Sequence, residues 1–100
     1  MEQDSLPLEI DVQDGRIVLR GEIDLGGVAR LRTALDTPAD GSPLVLDFAG
    51  VTFMDSAGLR ELLDAWRRVG SVTILDPAPN VERLLAVTQA DSVLKVERTT

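Results

Sequence analysis

Val51-Thr52-Phe53-Met54-Asp55-Ser56-Ala57-Gly58-Leu59 carries an apolar, strand-like run straight into a helix. Phe53 and Met54 are bulky and apolar, Asp55-Ser56 opens the helix, and Gly58 falls inside its first turn. Glycine there costs up to about 1 kcal/mol relative to alanine, so it needs a reason, and close approach of another backbone or molecule supplies one. Upstream, Leu44, Leu46 and Phe48 alternate with Val45 and Asp47, the period of a strand. Downstream, from about Ala57 to Val69, Leu59, Leu62, Leu63, Trp66 and Val69 form an apolar stripe, and Gly70 is placed to stop the helix. Arg60, Glu61, Asp64, Arg67 and Arg68 take the opposite face, with Asp64 able to pair with Arg60 and Arg68. A strand feeding an amphipathic helix is the unit of an α/β fold.

The same unit repeats on both sides. Leu8, Ile10 and Val12 alternate with Glu9 and Asp11; Asp14-Gly15 comes next, and then Ile17, Leu19 and Ile23 alternate with Val18, Arg20 and Glu22. Two alternating runs around Asp-Gly predict a hairpin, and Gly21 marks a bulge or a close backbone approach in its second strand. Asp24 is an N-cap candidate for a helix whose face is Leu25, Val28, Leu31, Ala34 and Leu35. Pro38 to Pro43 is a loop. Val72 to Leu75 forms a fourth strand, Asn80 is placed to cap a short helix with Val81, Leu84, Leu85 and Thr88, and Val93 to Val96 forms a fifth strand. The order β-β-α-β-α-β-α-β predicts a two-layer α/β fold. Its five-stranded sheet is mixed and mostly parallel, with the first strand antiparallel and the helices mainly on one face. Glu9, Asp11, Arg20, Glu22 and Asp47 on alternate positions make the other face polar.

The chain of 100 residues reads as a single domain with its core over about residues 8–96. It holds 17 acidic and 10 basic residues and no Cys, His or Tyr. Without His there is no imidazole base or phosphohistidine relay, and without Cys no thiolate nucleophile or Cys/His zinc cluster. A net charge of −7 argues against nucleic acid as a partner. Met1 to Leu8 is acidic and lacks the pattern of a signal peptide, and no apolar run approaches the roughly 20 residues of a membrane span. A cytoplasmic protein without direct membrane insertion is expected.

Chemistry concentrates at Ser56. Ser56 or Asp55 can serve simply as an N-cap; alternatively Ser56 is a hydroxyl presented at a helix N-terminus, where an added phosphate gains from free N–H groups and the helix dipole while Asp55 opposes it. A catalytic serine would need a base, and Lys95, the one lysine, lies at the far end of the chain. Gly26-Gly27 lacks the Lys and Ser/Thr of a phosphate loop. No enzymatic activity and no cofactor are expected.

Gly21-Glu22-Ile23-Asp24, Leu44 to Phe48 and Phe53-Met54-Asp55-Ser56-Ala57-Gly58-Leu59 together resemble the STAS domain of bacterial anti-sigma factor antagonists, as does Pro79-Asn80-Val81-Glu82-Arg83-Leu84-Leu85. The resemblance implies partner switching. The unphosphorylated antagonist binds an anti-sigma factor that is also a serine kinase and supplies the ATP site. The kinase phosphorylates the serine at position 56, which ends the complex, and a phosphatase resets it. It also implies that Asp24 and Asp55 lie near that serine and contact the kinase. Parallel neighbouring second and third strands send their following loops to the same sheet edge, so Asp24, Asp55, Ser56, Ala57 and Gly58 are expected to form the partner-binding surface, with Gly58 leaving that edge clear for a partner's backbone. Ala57 stands where many members carry a second hydroxyl, and Gln89 where a Gly is common. The chain stops soon after the fifth strand, where many antagonists add a helix. Some short STAS proteins instead bind the ATPase of a lipid-transporting ABC system, which is the alternative expectation, and a module of a stress-signalling complex is a third.

Overall fold

The alternating runs assemble into one five-stranded sheet of order β1-β2-β3-β4-β5, made of Glu9–Gln13, Arg16–Ile23, Leu44–Met54, Val72–Leu75 and Leu94–Glu97. In this computed structural model residues 7–13 and 15–99 are described. The reading of Met1 to Leu6, and of Asp14 in the hairpin turn, lies outside them. β1 pairs with β2 antiparallel, and β2–β3, β3–β4 and β4–β5 are parallel. Helices α1 (Val28–Leu35), α2 (Ser56–Val69) and α3 (Pro79–Val87) make the crossovers. Each strand is added on the same side of the last, so right-handed crossovers lay all three helices on one face. Ile17, Leu19, Leu44, Leu46, Phe48, Val72, Ile74 and Leu94 turn to that face and join Leu31, Leu62 and Leu85 in a single core. On the opposite face Arg16 pairs with Asp47 at 3.1 Å, and Arg20 and Lys95 are exposed.

β3 runs well past Phe48, where simple alternation ends. Between Val18 and Arg20, and again between Gly21 and Glu22, β3 supplies one residue more than β2. The buried positions of β3 therefore step from Phe48 to Val51 to Met54, every third residue, and Phe53 is turned outward, 42% exposed. Asp47 Oδ1 accepts from the Ala49 N–H at 3.0 Å at the first irregularity. Gly21, at φ +96°, supplies the left-handed backbone that the β2 side of the second requires.

The first crossover departs from expectation. α1 begins only at Val28, after a 3₁₀ turn over Leu25–Gly27. A 3₁₀ turn has three residues per turn rather than 3.6, so Leu25 falls out of phase with the apolar face of α1 and is 75% exposed instead of buried. Asp64 pairs with Arg67 at 3.0 Å and not with Arg60 or Arg68. Arg68 reaches across to α1, donating to the Leu35, Pro38 and Asp40 oxygens. It thereby satisfies the Leu35 carbonyl at the end of α1, one of those that a helix end leaves unpaired. Asn80 does not cap α3: Ala78 holds that position, and Asn80 Nδ2 donates to the Thr52 carbonyl at 3.0 Å. Thr88 is exposed just past the end of α3, its Oγ1 bonded to the Leu84 carbonyl at 2.7 Å. Gln89 then adopts φ +64°, a left-handed conformation that favours glycine, and β5 starts one residue later than expected.

Candidate functional site

β2 and β3 end together. Ile23 and Met54 are register partners, and the Asp55 N–H donates to the Ile23 carbonyl at 3.0 Å. Asp24 and Asp55, 31 positions apart in sequence, therefore leave the sheet side by side at its carboxyl edge, where the loops of a parallel sheet gather. Each carboxylate caps the element that begins after it. Asp24 Oδ1 accepts from the Gly26 N–H at 3.1 Å and starts the 3₁₀ turn. Asp55 Oδ1 accepts from the Gly58 N–H at 3.1 Å and starts α2.

The two readings of Ser56 thus separate: Asp55 is the cap, and Ser56 is the first residue of the helix proper. Its side chain is exposed, and its N–H and that of Ala57 belong to the group of helix donors that have no carbonyl one turn earlier. Ala57 is half-buried. Gly58 is buried and has an internal reason. A Cβ there would stand 2.4 Å from Ile23 Cγ2 and 3.1 Å from Met54 Cγ. The missing side chain lets α2 settle on the ends of β2 and β3, so Gly58 serves this packing rather than clearance for a partner's backbone.

Two shallow depressions flank Ser56. One lies between the 3₁₀ turn, α1 and α2, bordered by Leu25, Val28, Arg32, Ala57 and Arg60. The other runs along the outer side of α2 past Arg60, Leu63, Asp64 and Arg67. Beneath the first, Glu61 is buried and receives both ends of the Arg32 guanidinium, at 3.0 and 2.8 Å. Those hydrogen bonds hold the Glu61 carboxyl below the usual glutamate range against the opposing effect of burial, and they raise Arg32. Helical periodicity alone puts Glu61 on the solvent face. The missed signal is Ala65, a small buried residue one turn after Glu61 that borders the same depression as Arg32, Leu35 and Asp36 at the α1 side; a small residue there marks a close approach of the two helices, and Glu61 lies beside it. Leu25 is the other missed residue: the Gly-Gly pair after it is the sequence trace of the turn that turns it outward. Among the described residues no three acidic side chains converge to hold a metal ion, and no helix is long and apolar enough to cross a membrane.

The family model described as "Mlab, STAS domain" matches residues 7–96. Among solved structures, an anti-sigma factor antagonist from Mycobacterium paratuberculosis is 26% identical with a TM-score of 0.73, over 99% of this chain and 90% of that one. SpoIIAA in its unphosphorylated form is 22% identical with a TM-score of 0.72, over 94% and 89%. The phosphorylated form of the Bacillus cell fate determinant SpoIIAA gives 21% and 0.67, over 94% and 92%. The latter two likenesses are of fold. No curated protein matches the sequence.

Proposed function

Because the chain belongs to the STAS domain family, we propose that it acts as an anti-sigma factor antagonist whose binding is controlled by phosphorylation of Ser56. The observation that carries this reading is the division of labour at the start of α2. Asp55 does the capping, which leaves the Ser56 hydroxyl exposed and unneeded by the fold. The structural likeness to the Mycobacterium paratuberculosis antagonist supports the partner class. The protein catalyses nothing itself. A serine kinase, the anti-sigma factor, supplies ATP; the Ser56 Oγ–P bond forms as the bond from the γ-phosphorus to ADP breaks, and the hydroxyl proton leaves to the kinase or solvent. A phosphatase reverses the state by hydrolysis. The setting is cytoplasmic, with no nucleic acid bound.

The added group carries about −2 charge and arrives beside two carboxylates already turned to that edge. In a desolvated contact such a charge costs far more than in water, while the helix N-terminus tolerates it. Binding is therefore lost without loss of fold. The partner surface is this carboxyl edge, with Asp24, Asp55, Ser56 and Ala57, and the exposed Leu25 adds apolar area to it. Gly58 contributes from beneath, by seating the helix. A second reading has one observation in its favour: the matched family model carries the description Mlab rather than that of an antagonist. In that reading the same edge binds the ATPase of a lipid-transporting ABC system.

Co-purification from the native cell, with the partner identified by mass spectrometry, decides between them. A serine kinase supports the antagonist reading, and a transporter ATPase replaces it. Phosphate on Ser56, absent from Ser56→Ala, is the accompanying expectation; modification at another residue overturns the assignment. Asp24→Lys should impair association with that partner and Glu9→Lys on the polar sheet face should not.

A further inference from the structure

We propose that Arg60 receives the phosphoryl group on Ser56, so that the modified site is an internal ion pair along α2 and not an open dianion. This inference rests on Ser56 being the modified residue and states how the modification is held. Three arginines border the two depressions beside Ser56: Arg32, Arg60 and Arg67. Arg32 is committed to Glu61 and Arg67 to Asp64. Among the described residues Arg60 has no such partner, and it alone of the three borders both depressions.

The helix geometry favours the contact. Ser56 and Arg60 are four residues apart on α2, the spacing at which side chains on one face meet. Helical side chains lean toward the N-terminus, so the surface covered by Arg60 lies over the turn that begins at Ser56. An anion one turn before a cation is also the favourable order. The guanidinium fork matches two phosphate oxygens, which a lysine ammonium cannot do. On the other side of Ser56 stand Asp55 and Asp24, each with an oxygen engaged by a backbone N–H. Their charge turns the phosphate away from the sheet edge and toward Arg60; the third acid nearby, Glu61, is already neutralised by Arg32. Phosphorylation then makes two changes to one surface: it adds an anion and withdraws a free cation that the unmodified protein offers.

The test installs phosphoserine at position 56 during synthesis of the full chain, so that no kinase is needed. The second ionisation of the phosphate is followed by phosphorus NMR in the otherwise native chain, in Arg60→Gln and in Arg60→Lys. The expected result is a midpoint lower by about half a pH unit in the native chain than in Arg60→Gln, with Arg60→Lys between them. Phosphorylation should also raise the melting temperature of the native chain more than that of Arg60→Gln. Equal midpoints in the native chain and Arg60→Gln would overturn the proposal. Arg60 is exposed, and melting of the unmodified variants reports directly that they fold. Absence of phosphate on Ser56 in the native protein would count against the regulatory reading, whereas the titration decides the Arg60 contact on its own.

Discussion

Two corners at the same edge of the sheet are built from the same device and do different things with it. At the end of β2, Asp24 caps a three-residue turn and the next residue, Leu25, is thrown into solvent. At the end of β3, Asp55 caps a helix of 14 residues and the next residue, Ser56, presents a hydroxyl. Both carboxylates accept a backbone N–H at 3.1 Å. The difference lies beneath them. The second corner is locked to the first where Gly58 presses on Ile23, while the 3₁₀ turn carries comparatively little buried surface. A cap of one chemistry thus presents an exposed leucine in one place and an exposed hydroxyl in the other, and the lock keeps the two together.

Breaking the lock should have the largest effect. Gly58→Ala places a Cβ within 2.4 Å of a fully buried, β-branched side chain that has no room to yield. It should cost about 1–3 kcal/mol despite alanine's better helix propensity. For a chain of this size that is roughly 4–8 °C of melting temperature per kcal/mol. In the Ile23→Ala background, where the opposing Cγ2 is gone, Gly58→Ala should cost much less than in the native chain, and strictly additive effects would mean that the contact is not the cause. Removing the caps then measures how unequal the corners are. Asp55→Ala should cost about 1 kcal/mol, because a whole helix start loses its acceptor. Asp24→Ala should cost about half of that or less in equilibrium unfolding. Equal losses would put the 3₁₀ turn on the same footing as α2.

The smallest effect is the pH response of the pair that ties α1 to α2. Glu61 has its pKa lowered in the folded protein by Arg32. Its contribution is therefore present above the ordinary glutamate range and lost as pH falls below about 4.3. Stability of the native chain minus that of Glu61→Gln should be greatest near neutral pH and shrink with acidification. A difference that grows in acid would contradict the assignment. Arg32 is largely solvent-exposed, which keeps the effect modest.

The strand order and the paired edge were legible because β2 and the first half of β3 keep strict alternation, and because Asp24 and Asp55 each precede a change of period. What was not legible has two physical causes. Alternation fails where a strand is irregular: the two extra residues in β3 turn Phe53 outward and leave Val51 and Met54 inside. Helical periodicity fails where a 3₁₀ turn precedes a helix, which is why Leu25 read as core. Long side chains that reach another element carry no local signal at all. Arg68 binding the end of α1, Asn80 of α3 bonding to Thr52 of β3 and Arg32 meeting Glu61 all depend on the tertiary approach of one element to another. Gln89 is a different case: the resemblance marks its position as one where Gly is common, and its φ of +64° gives the reason.

In the proposed function the Asp55–Ser56 corner is the face on which a partner binds and from which phosphate releases it. The decisive measurement is calorimetric binding of the co-purified partner to the native chain and to Ser56→Asp, with both melting profiles recorded. Ser56→Asp should bind markedly more weakly at an almost unchanged melting temperature. Binding at native affinity would contradict it.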